Sequence, residues 1–133
     1  MIRHIIIVLI ILITGCASLD EQKRMDSLDA VINSYENAIR WGYYELTENY
    51  IKKPDKSHYT GDYSSMRDYK VTSYEVLGGK VENDGMQAMQ TVEIKYYHIR
   101  YLIEKVMIDK QLWEYDVSEK KWFLKSGLPV FQD

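Results

Sequence analysis

The only cysteine of the chain, Cys16, lies directly behind a run of aliphatic residues and a glycine. A lone cysteine cannot form a disulfide within the chain, so its thiol is free for other chemistry. A thiolate is a nucleophile and can become covalently modified. Alternatively, Cys16 is an ordinary small apolar residue at the end of a hydrophobic segment. The residues before it distinguish the two roles.

Residues 1–15 have the composition of a signal peptide. Arg3 and His4 precede an apolar run over residues 5–13, which as a helix would span about 14 Å. That is under half of the roughly 30 Å hydrocarbon core of a bilayer. The run therefore predicts the apolar region of a cleaved signal peptide rather than a transmembrane span.

The segment Ile13-Thr14-Gly15-Cys16 resembles the lipobox of bacterial lipoproteins, in which an aliphatic residue, a small residue and glycine precede the cysteine. The resemblance implies cleavage between Gly15 and Cys16, a diacylglyceryl thioether on Cys16 and acylation of the new amino group. Ala17 follows instead of aspartate, and by similarity to enteric lipoproteins this implies an outer-membrane anchor facing the periplasm. We expect a signal peptide at 1–15, a lipidated tether at 16–26 and one domain at 27–133.

Length and charge limit the remaining function classes. The chain has 133 residues, enough for one domain, and its 46% hydrophobic residues allow a packed core. The formal net charge of −3 offers no basic field for a nucleic-acid backbone, so we predict no nucleic-acid partner. Twelve Tyr and three Trp against two Phe suit half-buried sheet faces and interfaces.

The first half of the domain has the period of an amphipathic helix. Apolar residues recur at spacings of three and four from Leu28 through Tyr35 to Tyr50. Gly42 lies within this stripe and is expected to kink or divide the helix. The polar stretch at 53–68 predicts a connection with a short helical turn near 64–68.

The second half alternates with a period of two, which predicts strands at 69–77, 86–97, 102–116 and 120–126. Asp84-Gly85 is the strongest hairpin signal in the chain. A long helix followed by a four-stranded meander predicts an α+β fold, with the helix packed on one face of a curved antiparallel sheet.

Three segments carry a further resemblance: Trp113-Glu114-Tyr115-Asp116, Trp122-Phe123-Leu124 and Leu128-Pro129-Val130-Phe131. They resemble the C-terminal hairpin and tail of small proteobacterial lipoproteins whose domains are similar to the cystatin-like, nuclear-transport-factor-two-like cone. Residues 71–77 fit the same pattern. The resemblance implies a helical layer on a strongly curved sheet, which encloses a pocket or dimerises through the sheet.

Residues of catalytic type are sparse. His58 lies in the polar connection and His98 near a strand end, and neither has a second ligand at metal-binding spacing. The glycines of residues 78–85 lack the spacing of a phosphate loop. We therefore predict no metal, no cofactor and no enzyme activity.

The implied cone fold points to one candidate pocket. Some relatives use a tyrosine and carboxylates there for proton transfer, and here Tyr35 lies on the helix stripe while Asp109 lies on the third strand. A buried Asp109 beside tyrosine hydroxyls would have a raised pKa and could act as a base. The alternative is that Asp109 faces solvent and Tyr35 packs in the core.

An aromatic strip predicts a contact surface. If the third and fourth strands pair, Trp113, Tyr115 and Trp122 lie together across the hairpin. The third strand is apolar on both faces, and such strands are usually covered on both. The helix is one cover, and either the tail at 128–131 or a partner is the other.

These features together predict a lipid-anchored, periplasm-facing module that binds or supports other envelope components through its sheet face. Its partners would be the membrane, through the lipid on Cys16, and an envelope protein or a second copy of the chain. The alternative is a small-ligand binder that uses a pocket lined by Tyr35 and Asp109. In either case the prediction that the protein is anchored at the cell envelope rests on Cys16.

Overall fold

The computed structural model describes residues 2–52 and 63–133, with side chains for residues 18–52 and 63–133. The elements in chain order are α1 (Ile2–Trp41), a 3₁₀ helix (Tyr44–Tyr50), α2 (Ser64–Arg67), β1 (Tyr69–Glu82), β2 (Gln87–His98), β3 (Glu104–Asp116) and β4 (Lys121–Leu124). The long helix packs on an open, antiparallel four-stranded sheet of order β1-β2-β3-β4, which confirms the predicted α+β class. Within the described residues, no helix is both long enough and apolar enough to span a bilayer.

Gly42 ends α1 and so divides the predicted helix, which was expected to kink or divide there. Its φ is +74°, a left-handed conformation that glycine adopts without steric cost. Gly42 N–H donates to the Ile39 carbonyl at 3.4 Å and Tyr43 N–H donates to the Ala38 carbonyl at 2.9 Å. These two bonds form a Schellman motif, which satisfies carbonyls that the helix end would leave free.

After Gly42 the chain continues as a 3₁₀ helix, and this changes which residues are buried. A 3₁₀ helix repeats every three residues, and Tyr44, Thr47 and Tyr50 are buried accordingly. The predicted α-helical stripe therefore fails at Tyr43 and Leu46, which are 58% and 52% exposed.

Residues 18–26, expected within a tether, are helical and belong to α1. Arg24 and Met25 from this segment contact the β1–β2 turn around Gly85. The packed unit therefore begins before residue 27. Polar composition alone indicated a tether, whereas long-range contacts hold this turn of α1 against the sheet.

The β1–β2 hairpin turns at the predicted Asp84-Gly85, although β1 runs to Glu82 and not to the predicted end at 77. Asn83 and Asp84 have φ of 50° and 53°, and Gly85 has φ of 78°. Asn, Asp and Gly are the residues that tolerate such left-handed turn conformations best. Each of the other strand pairs is also antiparallel, so both the β1–β2 and β3–β4 turns lie at one end of the sheet and the β2–β3 turn at the other.

The inner face of the sheet packs under α1. On β2 it presents Ala88, Val92, Ile94 and Tyr96, as the alternation predicted. Three aromatic rings from α1, the 3₁₀ helix and β3 meet at its centre. Tyr35 lies 5.3 Å from Trp113 and 5.6 Å from Tyr50, between ring centroids, in edge-to-face geometry. Such pairs stabilise a core beyond the area that they bury.

The C-terminal tail covers the same inner face rather than the outer one. The Phe131 ring lies 4.8 Å from Tyr96 and 5.5 Å from Tyr69, between centroids. The Tyr96 hydroxyl donates to the Gln132 carbonyl at 3.1 Å. On the outer face Val106 and Ile108 remain 56% and 49% exposed, so β3 is apolar on both faces while its outer residues stay accessible in the described structure.

Candidate functional site

The three residues predicted to form a contact surface lie in the core instead. Trp113 and Trp122 are 0% and 3% exposed, and Tyr115 packs partly against the core. Their positions on β3 and β4 place them on the inner face, with Trp113 opposite Leu124 and Tyr115 opposite Trp122. The prediction of a sheet-face contact at these residues is therefore corrected, because α1 covers the face on which they lie.

The residues predicted to line a pocket, Tyr35 and Asp109, are brought close together. Tyr35, on α1, is fully buried, and Asp109, on β3, is 8% exposed and close enough to act electrostatically on the Tyr35 hydroxyl. Gln111, two residues along β3, connects Asp109 to its neighbours. Its amide nitrogen donates to the Asp109 carboxylate and to the Tyr74 hydroxyl, each at 2.9 Å. Trp113 Nε1 donates to the Gln111 carbonyl oxygen at 3.2 Å.

Burial controls the ionisation of this cluster. Loss of solvent raises the pKa of the Asp109 carboxyl, and the hydrogen bond from Gln111 opposes that rise. Loss of solvent, together with the nearby Asp109 charge, also raises the pKa of Tyr35 well above its usual value. Burial likewise raises the pKa of Tyr74, so both tyrosines of the cluster stay protonated and Asp109 is the group whose charge can change.

Two atoms of the cluster have no hydrogen-bond partner among the described residues: the Tyr35 hydroxyl and Gln90 Nε2. Gln90 lies opposite Gln111 in the β2–β3 register, on the inner face. A buried polar atom without a partner is costly, and a water or a small polar molecule commonly fills the role. The Tyr35 hydroxyl and the Gln90 amide are thus the unused hydrogen-bonding groups of this cluster.

A second arrangement joins the N-terminal part of α1 to one end of the sheet. Arg24 Nε donates to the Gly85 carbonyl at 2.9 Å and Nη2 donates to the Asp84 carbonyl at 3.1 Å. Trp122 Nε1 donates to the Arg24 carbonyl at 3.0 Å. The guanidinium also lies 5.7 Å from the Tyr115 ring centroid, within cation–π range. We call these contacts the Arg24 clamp.

The two sides of α1 at the clamp carry opposite charge. On one side lies a groove, and its lining includes Asp20, Lys23, Arg24, Tyr115, Val117 and Lys120. On the other side, Glu21 lies near Glu82 and Asp84 of the β1–β2 hairpin. The helix therefore separates a mainly basic groove from an acidic surface.

The opposite end of the sheet carries an exposed apolar tip. In the β2–β3 turn Ile99, Tyr101, Leu102 and Ile103 are 47%, 55%, 71% and 65% exposed. The turn is fixed, because Leu102 N–H donates to the His98 carbonyl at 2.9 Å. Leu102 has φ of +56°, which is rare for a bulky residue. Strained, exposed apolar residues of this kind concentrate at functional positions.

A small cleft of about 100 Å³ lies beside the tip, between the β2–β3 turn and the C-terminus. Its walls include Tyr101, Ile103, Lys105 and Asp133. His98 also contributes, with its ring 5.0 Å from Tyr69 and its Nδ1 accepting from Arg100 N–H. His58, the other histidine considered from the sequence, lies outside the described residues.

Sequence reasoning found Tyr35 and Asp109 but missed Gln111, Gln90 and Arg24. The alternation of β3 did carry a signal, since Gln111 shares its face with Trp113. Arg24 lies four residues before Leu28, so the helical stripe extended backwards would have reached it. Among the described residues, no group of three His, Cys, Asp or Glu side chains could hold a metal ion.

Comparisons of the chain with protein-family models, with curated proteins and with solved structures gave no match. The motif at residues 13–16 and the contacts of the described residues are therefore what indicates its function.

Proposed function

We propose that this protein is a lipid-anchored lipoprotein of the bacterial envelope, whose domain faces the periplasm and acts as a binding or structural module. The observation that carries this function is Ile13-Thr14-Gly15-Cys16 directly behind a basic residue and a short apolar run. Lipid on Cys16 would hold the protein stably, because two or more acyl chains suffice for lasting attachment. Ala17 favours the outer membrane.

Intact mass of the native protein, with membrane fractionation, tests the anchor. We expect residues 16–133 with the added mass of a diacylglyceryl group and an acyl chain, in the membrane fraction. Cys16→Ser should lose that mass and leave the membrane fraction. Ser18→Ala, two residues further along, is the matched control and should behave as the wild type. An unmodified wild type that retains residues 1–15 would refute the proposal.

The contact surface that we propose is the β2–β3 tip rather than the aromatic face of the sheet. Leu102 and Ile103 expose most of their side-chain area, and hydrogen bonds hold the turn rigidly. Tyr101 and the neighbouring Arg100 are residue types enriched at protein interfaces. The partner would be an envelope protein that offers an apolar site with carboxylates at its rim.

Photo-cross-linking in intact cells tests the tip. A benzophenone amino acid at Leu102 should give one discrete adduct in the membrane fraction, and Ile103→Asp should abolish it. The same probe at Glu75, an exposed residue of β1, should give no adduct. An adduct at twice the mass of the protein would identify the partner as a second copy of the chain and not another envelope protein. Adducts from the probe at Glu75 alone would refute the tip as the contact surface.

A second candidate function, binding of a small ligand, is favoured by the unpartnered Tyr35 hydroxyl and Gln90 amide. The cluster is enclosed, since Tyr35 and Gln111 are 0% and 2% exposed. A ligand would therefore be small, with a hydroxyl or amine to donate to Asp109 and an oxygen to accept from Gln90.

Tyr35→Phe distinguishes an occupied cluster from an empty one. If nothing binds the Tyr35 hydroxyl, its removal should leave the free energy of unfolding unchanged or slightly higher. If a bound group uses that hydroxyl, Tyr35→Phe should cost about 1 kcal/mol. Tyr74→Phe is the matched comparison, because the Tyr74 hydroxyl accepts a hydrogen bond from Gln111 and should cost about 1 kcal/mol in either case.

A further inference from the structure

The chain between the lipid and the packed domain is short. Arg24 lies eight positions after Cys16, and it is the residue that first hydrogen-bonds to the sheet in the described structure. These eight positions span about 12 Å as a helix and at most about 28 Å when fully extended. The membrane that holds the lipid must therefore lie close to the Arg24 clamp.

The clamp also fixes which end of the sheet faces that membrane. Arg24 bonds to Gly85 in the β1–β2 turn and, through its carbonyl, to Trp122 at the start of β4. The β1–β2 turn and the start of β4 lie at the same end of the sheet, and the β2–β3 tip lies one strand length away. Strand β2 has 12 residues, which corresponds to about 40 Å. The tip is therefore directed away from the membrane.

The surface at the membrane end matches an anionic bilayer on one side of α1 only. The groove beside α1 carries Lys23, Arg24 and Lys120 against the single acid Asp20. The acidic surface across the helix would be repelled. Electrostatic forces fall off over a Debye length of about 8–10 Å at physiological salt, so charges at this end act on the bilayer and those of the tip do not.

Apolar side chains at the same end suit the interface between headgroups and acyl chains. Val117, at the rim of the groove, is 66% exposed, and Leu19 on α1 is 61% exposed. Lysine stems can lie along an apolar surface while their charged ends reach phosphate groups. A phospholipid surface likewise presents anionic headgroups, which suit the lysines, beside acyl chains, which suit Val117 and Leu19.

We propose that the groove of Lys23, Arg24 and Lys120 binds the anionic phospholipid headgroups of the membrane that anchors the protein, with Val117 inserted beside them. This rests on the proposed lipid on Cys16, which places the groove at that surface. Binding there orients the domain, so that the β2–β3 tip is presented to the periplasm. The anchor is then a two-point attachment rather than a free hinge.

A fluorescent label on the lipidated protein tests this orientation. Cys16 is the only cysteine and is blocked by lipid, so Val117→Cys supplies a single reactive thiol for a polarity-sensitive dye. In vesicles of phosphatidylethanolamine and phosphatidylglycerol we expect its emission to shift to the blue. In phosphatidylcholine vesicles the shift should be smaller. The dye at Leu102→Cys should show no shift in either.

Charge reversal tests the groove itself. Lys23→Glu with Lys120→Glu should weaken headgroup binding about tenfold or more and reduce the Val117 shift. Lys70→Glu with Lys110→Glu, both on exposed strand positions, changes the net charge equally and should leave the shift intact. An equal reduction of the Val117 shift by both pairs of substitutions would refute headgroup binding by the groove.

The outcomes separate the two proposals. A protein that carries the acyl mass and sediments with vesicles, but whose Val117 dye stays in water or whose Leu102 dye shifts instead, overturns only the orientation. A protein that carries no acyl mass and does not sediment with vesicles overturns the lipid anchor and the orientation together.

Discussion

Replacing Arg24 by methionine should destabilise the domain, although Arg24 lies in a segment whose composition is that of a tether. Methionine keeps the unbranched aliphatic stem and the helix propensity but removes every donor of the guanidinium. The variant therefore removes the bonds to Gly85 and Asp84 and the contact with the Tyr115 ring, while the helix itself is preserved.

The magnitude follows from the environment of each contact. The bond to Gly85 is partly buried and has a charged donor, which is worth about 1.5 kcal/mol. The bond to Asp84 is exposed, and it and the cation–π contact contribute about 0.5 kcal/mol each. We expect the free energy of unfolding to fall by about 2.5 kcal/mol, which lowers Tm by roughly 10 °C in a domain of this size.

Urea unfolding of residues 16–133 carrying Cys16→Ser, followed by tryptophan fluorescence, measures this change. Lys23→Met is the matched control, because Lys23 precedes Arg24, is exposed, and its side chain makes no hydrogen bond or ion pair with the residues that the structure describes. A loss below about 0.5 kcal/mol for Arg24→Met, equal to that of the control, would refute the clamp. Residues 18–26 would then be a tether after all.

Three further changes test the turns and the buried acid. Gly85→Ala should cost about 1–2 kcal/mol in a thermal unfolding assay, because Gly85 has φ of +78° and a Cβ would lie 2.9 Å from the Arg24 guanidinium; Gly78→Ala, where nothing lies within 4 Å, should cost little. Burial raises the pKa of Asp109, so the folded state binds its proton more tightly, and the resulting stabilisation is lost as the pH rises above about 4. Asp109→Asn should accordingly raise Tm by about 3 °C at pH 7 and change it little at pH 3, and an unchanged difference across this range in calorimetry would contradict the raised pKa. Leu102→Gly should leave the domain equally stable or stabilise it by about 1 kcal/mol, because Leu102 has φ of +56°. The same change should abolish cross-linking from a probe at Ile103. A loss of stability would mean that the Leu102 side chain stabilises the fold.

Local patterns in the sequence account for most of the fold. Alternation predicted the four strands, and Asp84-Gly85 predicted the first hairpin, because these signals come from neighbouring residues and from turn conformations that few residues tolerate. Gly42 likewise predicted a break in the helical stripe. The shift from α-helix to 3₁₀ helix after Gly42 had no such signal, so the burial of Tyr44 in place of Tyr43 was not predicted.

The candidate sites depended more on contacts between distant residues. Tyr35 and Asp109 lie near each other, and Gln111 joins Asp109 to Tyr74 by bonding to both; that they line a pocket stays a prediction. The aromatic residues of β3 were expected at a surface because both faces of the strand are apolar. Alternation assigns Trp113 and Val106 to opposite faces, yet it does not indicate which face the helix covers.

The sequence by itself determined the order of the elements and the type of each except the 3₁₀ helix, and it alone supports the lipid anchor through residues 13–16. Those features rest on short-range chemistry: period, turn conformation and a four-residue motif. Tertiary structure decided which sheet face is the core, that Arg24 joins α1 to a turn sixty-one residues away, and that Leu102 projects from the opposite end. These features depend on which face of the sheet packs against α1 and which stays in water. That is decided only when the helix and the sheet assemble.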